Sequence, residues 1–236
     1  MTGSDRKAGG AVTQLVFRTS QCSRHGHQEF TVLFNERPPV RGLEKTLLSH
    51  FENAVARGAT FRPGQFVQLG WASLRLMSRP DGTLGVQEFD SQAEGGWVES
   101  VDKALMAAWS QKEVVLSVGL QEPAFPGQMQ DAVVCKKLLE GHDEYQLSRS
   151  DPDDDDDSGW FLACFGKDHD HDKPAELRMT QLVHVTTRLP FITQFLALPA
   201  GADVHITGPG RIRATVFIDG EERVPLPGSY LAGLSD

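Results

Sequence analysis

Two short segments carry the side chains best suited to chemistry. The first, Asp151-Pro152-Asp153-Asp154-Asp155-Asp156-Asp157, is almost entirely carboxylate. Oxygen donors at that density suit a hard cation such as calcium, whose helix–loop–helix template needs glycine at position six and glutamate at position twelve. Counted from Asp151, those positions hold Asp156 and Leu162; counted from Asp153, they hold Ser158 and Cys164. Both registers fail, and the run reads as a solvated acidic loop. The second segment, Asp168-His169-Asp170-His171-Asp172, interleaves two imidazoles with three carboxylates. Alternation on an extended chain puts both histidines on one face, a donor set that suits zinc or nickel. No third histidine or cysteine stands at zinc-finger spacing, so the expectation is a charged loop with no metal and no cofactor.

The three cysteines, Cys22, Cys135 and Cys164, are odd in number, far apart and without C-x-x-C spacing. They read as reduced thiols serving as small apolar fillers. The chain contains no G-x-S-x-G, H-E-x-x-H or G-x-x-x-x-G-K-[ST] pattern, so no catalytic residue is assigned. Two alternatives remain open beside a non-enzymatic binding protein. One is a metal-dependent enzyme built on His169, His171 and nearby aspartates; the other is an adaptor.

Charge sharpens the picture. The net charge is −9 over 236 residues. Residues 1–128 carry 13 Lys+Arg and 13 Asp+Glu, whereas residues 129–236 carry 10 and 19. All of the excess lies in the second half. Within it, residues 151–172 hold nine aspartates against Lys167. Such a field repels nucleic acid and anionic lipid and attracts basic proteins. Asp153, Asp154, Asp155, Asp156, Asp157, Asp168, Asp170 and Asp172 are therefore the candidate partner-binding residues. The first ten residues lack the apolar stretch of a secretory signal, and no apolar run is long enough to span a membrane. A cytoplasmic protein is expected.

The elements that must hold these segments follow from periodicity. Val12–Arg18 and Phe30–Phe34 read as strands, and residues 42–57 as a helix with Leu43, Leu47, Leu48, Phe51 and Val55 on one face. Alternation slips between Val67–Trp71 and Leu74–Leu76, which predicts a bulge near Gly70–Ser73. Arg79-Pro80-Asp81-Gly82 is a turn into a strand over Thr83–Phe89. Ser100 caps a second helix, and Val114–Leu120 reads as a strand. The Pro/Gly segment Glu122–Gly127 marks a boundary between domains 1–125 and 129–236. In the second domain Ala132–Leu139, Glu144–Arg149, Ser158–Phe165, Gln181–Thr187, Val204–Ile206 and Ala214–Ile218 read as strands. A short helix begins at Pro190. The fold class is α+β: two packed α+β domains with mostly antiparallel sheets.

Residues from about Ala132 to Gly220 resemble the immunity-protein family numbered thirty-three of bacterial polymorphic toxin systems. The residues that carry the resemblance are Ala132-Val-Val-Cys-Lys-Lys-Leu-Leu-Glu-Gly141, Tyr145-Gln-Leu-Ser-Arg149, Leu198-Pro-Ala-Gly201 and, above all, Asp157-Ser158-Gly159-Trp160 running into an apolar strand. The family's acidic segment after that strand is Gly-Asp-Glu-like, whereas here it is Phe165-Gly-Lys-Asp-His-Asp170. The resemblance implies a cytoplasmic antidote that binds a cognate secreted toxin, a protein partner, with Ser158, Gly159 and Trp160 as a structural motif.

Limited proteolysis is expected to nick Glu122–Gly127 or Asp151–Asp157 first. Cleavage through Leu43–Val55 at a comparable rate would rule out both the helix and the domain boundary.

Overall fold

The computed structural model describes residues 14–38, 40–165, 169–208 and 212–235. They form two compact units. The first extends to Phe66 and takes in Arg75–Lys103; the second comprises Val67–Leu74 and the chain from Ala104 onward.

Strands β1 (Leu15–Arg18) and β2 (Phe30–Phe34) pair antiparallel, with Leu15 opposite Phe34. Helix α1 (Leu43–Ala56) buries Leu47, Phe51 and Val55, the face expected from the spacing, and Gly58 follows it at φ 93°. Phe51 stacks on Phe30 with centroids 4.2 Å apart, and Phe61 meets both rings edge-on. Then come β3 (Phe66–Leu69), β4 (Ala72–Ser78), β5 (Leu84–Phe89) and β6 (Trp97–Val98). The sheet order is β1-β2-β5-β4-β3, with β6 on β5.

The slip expected as a bulge at Gly70–Ser73 is instead a tight turn at Gly70-Trp71 that joins paired strands β3 and β4. Gly70 takes φ 57° there, which a glycine supplies without strain. Helix α2 (Asp102–Ser117) absorbs most of Val114–Leu120, which β-propensity alone marks as strand. Ala104, Leu105, Gln111, Val114 and Val115 are buried at helical spacing, and packing of that face overrides the valines' intrinsic preference.

The second sheet contains β7 (Asp131–Cys135), β8 (Glu144–Arg149), β9 (Asp157–Cys164), β10 (Leu177–Gln181), β11 (Ala202–Thr207), β12 (Arg213–Ile218) and β13 (Glu221–Arg223). Its order is β10-β7-β9-β8-β11-β12-β13, antiparallel throughout except that β7 and β9 run parallel. The class is α+β with mostly antiparallel pairing, as expected.

Gln181–Thr187, expected as a strand, is instead helix α3 (Leu182–Arg188). Its threonines satisfy their hydroxyls on carbonyls four residues back: Thr186 on Leu182 at 3.1 Å and Thr187 on Val183 at 2.7 Å. The short helix at Pro190 is a 3₁₀ segment, Pro190–Phe195. A last helix, α4 (Tyr230–Ser235), closes the described chain. No described helix is long and apolar enough to cross a membrane.

The β1–β2 connection is held by a carboxylate. Glu29 accepts hydrogen bonds from the Thr19 hydroxyl at 2.6 Å and from the N–H groups of Ser23 and Cys22 at 2.9 and 3.3 Å. Burial alone would raise its pKa. The hydrogen bonds from Thr19, Ser23 and Cys22 outweigh burial and hold it at about 2, against an ordinary 4.5. A depressed carboxyl pKa gives stability that is present above pH 4.5 and is lost as pH falls toward 2. Acid melting curves should therefore show Glu29→Gln losing its stability deficit across that window. Curves for wild type and variant that stay parallel below pH 4.5 would remove Glu29 from this role.

Candidate functional site

β9 lies between β7 and β8, and its first four residues are Asp157-Ser158-Gly159-Trp160. Each one ties the strand to a different neighbour. The Ser158 hydroxyl donates to the Asp131 carbonyl on β7 at 2.7 Å, where the β7–β9 register shifts between Asp131 and Val133. The Gly159 N–H donates to Asp157 Oδ1 at 2.9 Å, and the Gly159 carbonyl accepts the Ser150 N–H at 2.9 Å. Gly159 sits at φ 72°, and a Cβ there would stand 2.2 Å from the Ser150 carbonyl oxygen. Only glycine fits. Trp160 is 1% exposed, and its indole N–H donates to the Leu196 carbonyl at 3.0 Å.

Arg149, opposite Trp160 in the β8–β9 ladder, lays its guanidinium over the indole with 5.6 Å from Cζ to the ring centroid. Its Nη1 donates to the carbonyls of Ala124 and Leu198, both at 2.6 Å, and its Nε donates to that of Ser158 at 3.2 Å. One half-buried cation thus ties three separate stretches of the chain together.

The acidic run forms the β8–β9 connection. Asp151 and Asp153–Asp156 are exposed, and Asp157 is half-buried. The loop is internally organised. Asp154 Oδ1 accepts the N–H groups of Asp156 at 2.9 Å and Asp157 at 3.0 Å, and Asp157 Oδ2 accepts that of Asp153 at 3.0 Å. Gln130 and the Asp131 N–H each donate 2.8 Å bonds to the carbonyls of Asp155 and Asp156. Asp154 and Asp157 therefore spend their carboxylates on the backbone. Asp151, Asp153, Asp155 and Asp156 stand exposed on the loop.

The other end of β9 carries a different chemistry. β7 ends at Cys135 and β9 ends at Cys164, and the two buried Sγ atoms lie 3.8 Å apart. The connection that leaves β9 crosses toward β10, on the far side of β7, and brings two imidazoles over the thiols. His169 Nε2 is 2.9 Å from Cys135 Sγ and 3.4 Å from Cys164 Sγ, and His171 Nε2 is 2.8 Å from His169 Nε2. All four donor atoms lie within 4.8 Å of one another, the one such group of donors found among the described residues. The edge of Phe161 packs beside His171, with ring centroids 6.1 Å apart. Burial, then the neighbouring His169, pushes the His171 pKa below its ordinary value and favours a neutral ring. Beyond the histidines, the Lys136 N–H donates to the Glu176 carbonyl at 2.9 Å and fixes the return into β10.

The structure thus separates the candidate aspartates. Asp153–Asp157 lie at the start of β9, and Asp170 and Asp172, both exposed, lie beyond its end. Eight residues of strand put about 23 Å between them. Asp168 lies outside the described residues. Asp170 accepts the Asp172 N–H at 3.0 Å and pairs with Lys173 at 3.4 Å, while His169 Nε2 stands against the two sulfurs. On sequence alone Cys135 and Cys164 read as isolated fillers; all three cysteines are buried and outside any disulfide, and these two are neighbours.

Residues 110–216 match the model of the Imm33-like domain. No curated protein and no solved structure matches the chain.

The matched segment contains Trp160, which fills the space under Arg149. Trp160→Ala should cost about 3–5 kcal/mol, the usual scale for truncating a buried large aromatic. Denaturant titration reads this directly, and an unchanged midpoint would show that the indole contributes nothing to the fold.

Proposed function

We propose that the chain is an immunity protein of the toxin-antidote type, which binds a cognate secreted bacterial toxin in the cytoplasm and neutralises it without catalysing a reaction itself. The observation that carries this reading is the Imm33-like match over residues 110–216. The geometry supports a binding role. The acidic loop is exposed, yet it is anchored by Asp154 and Asp157 and so presents its remaining carboxylates in a defined arrangement. Pre-organised charge lowers the ordering cost of association and raises its rate more than its final affinity.

Asp153, Asp155 and Asp156 make the first contact with a basic surface on the toxin. Asp170 and Asp172 belong to the same interface only if the partner spans the length of β9. An interface of about 800 Å² per partner is roughly 30 Å across, so one toxin can reach both ends. The neutral-to-acidic split of the chain suits a toxin whose own site is basic, such as one that cuts nucleic acid or binds a nucleotide.

Co-expression with a secreted toxin whose gene adjoins this one tests the function. Growth should be restored and the two chains should co-purify; continued killing with no complex would end the proposal. The loop is tested separately. Asp157 uses both oxygens on backbone N–H groups, so the variant Asp153→Asn, Asp155→Asn, Asp156→Asn preserves the loop's internal hydrogen bonds. It should fold as wild type, associate about 10-fold more slowly at low salt and lose most of its salt dependence. Association at the wild-type rate in low salt would move the interface away from this loop.

A further inference from the structure

We propose that Cys135, Cys164, His169 and His171 bind one zinc ion in a closed structural site. Two thiols and two imidazoles are the donor set zinc favours, and with no oxygen donor among the four they disfavour calcium or magnesium. Tetrahedral zinc with bonds of about 2.3 Å to sulfur and 2.0–2.1 Å to nitrogen places its ligand atoms roughly 3.8 Å apart for S–S, 3.5 Å for S–N and 3.3 Å for N–N. The Sγ atoms of Cys135 and Cys164 stand 3.8 Å apart. The contacts from His169 to the two sulfurs are 2.9 and 3.4 Å, and the imidazole pair is at 2.8 Å. Drawing His169 back from Cys135 and parting the two imidazoles, each by about half an ångström, opens these edges to the filled geometry.

Competing readings of the cluster fit less well. A disulfide requires the sulfurs at about 2.05 Å, in place of the observed 3.8 Å. A two-iron cluster with mixed cysteine and histidine ligands needs its two ligand pairs on separate irons, bridged by sulfides. Four donor atoms all within 4.8 Å of one another suit a single ion. Binding is balanced by proton loss: each thiol gives up its proton, and two thiolates neutralise the dication, so the site carries no net charge. Four protein ligands leave no open coordination position, which makes the site structural and not hydrolytic.

The topology says what such an ion would hold. β7 and β9 are the parallel pair of the second sheet, and their carboxyl ends carry the two cysteines. The chain must cross from β9 over β7 to reach β10, and it carries His169 and His171 on the way. Zinc would fasten that crossing to both strand ends. It would act where the sheet's regular hydrogen bonding stops.

The test is metal analysis of the full chain, purified reduced and without a polyhistidine tag. One zinc per chain should survive dialysis, and strong chelation should lower the melting temperature reversibly. Cobalt added to the metal-free protein should give the visible bands of a tetrahedral site together with a thiolate charge-transfer band. His169→Ala and His171→Ala should each weaken metal affinity at least about 10-fold, and Cys135→Ser and Cys164→Ser should abolish the thiolate band. His184→Ala, exposed on α3, should change none of this. The cobalt spectrum of the wild-type chain reports on the site even if a cysteine variant fails to fold. Absence of stoichiometric metal and of a cobalt spectrum overturns the proposal, as does a Cys135–Cys164 disulfide or an iron–sulfur chromophore in the protein as isolated.

Discussion

A single backbone position governs the second sheet. Gly159 adopts a left-handed conformation inside a strand, with the Ser150 carbonyl where any side chain would begin. That close approach turns the acidic connection back into β9 and sets Trp160 opposite Arg149. It also leaves the Ser158 hydroxyl facing β7, where it bridges the register shift. This interior strand of the sheet therefore has its start fixed. Both of its neighbours, one parallel and one antiparallel, take their alignment from that start.

Arg149 depends on the same arrangement. Its guanidinium reaches the carbonyls of Ala124 and Leu198 because the indole beneath it holds the planar group in place. A half-buried arginine bonded to carbonyls is costly to misplace, since each lost contact leaves a donor partly withdrawn from water. The motif Asp-Ser-Gly-Trp is thus a packing device. The carboxylates before it are arranged by the same turn, which joins the acidic surface to the core without making the surface part of it.

Much of this was legible in the chain. β8 and α1 stand where periodicity places them, because each buries one face of a regular repeat, and β2 stands where its apolar run places it, buried throughout. Two of the errors share a cause. Val114–Leu120 and Gln181–Thr187 are rich in β-branched residues, and local preference pointed to strands where burial at helical spacing and threonine hydroxyl bonding made helices. β13 and α4 are too short to show a period. The thiol–imidazole cluster escaped for a different reason. Its members are separated by 29 and 34 residues, and only the parallel pairing of β7 with β9 brings them together. Pairwise spacing along a chain carries no information about which strands become neighbours.

The order β10-β7-β9-β8-β11-β12-β13 leaves two open borders. An unpaired strand invites another chain to continue the ladder, and long apolar borders seed aggregates. β13 is three residues long, Glu221-Glu222-Arg223, every one of them charged. β10 is five residues long and carries the exposed Arg178. An incoming strand would have to desolvate these charges for only a few hydrogen bonds in return. β13 is therefore closed to self-templating by charge, whereas β10, with Arg178 beside the exposed Met179, is guarded by its shortness and a single charge.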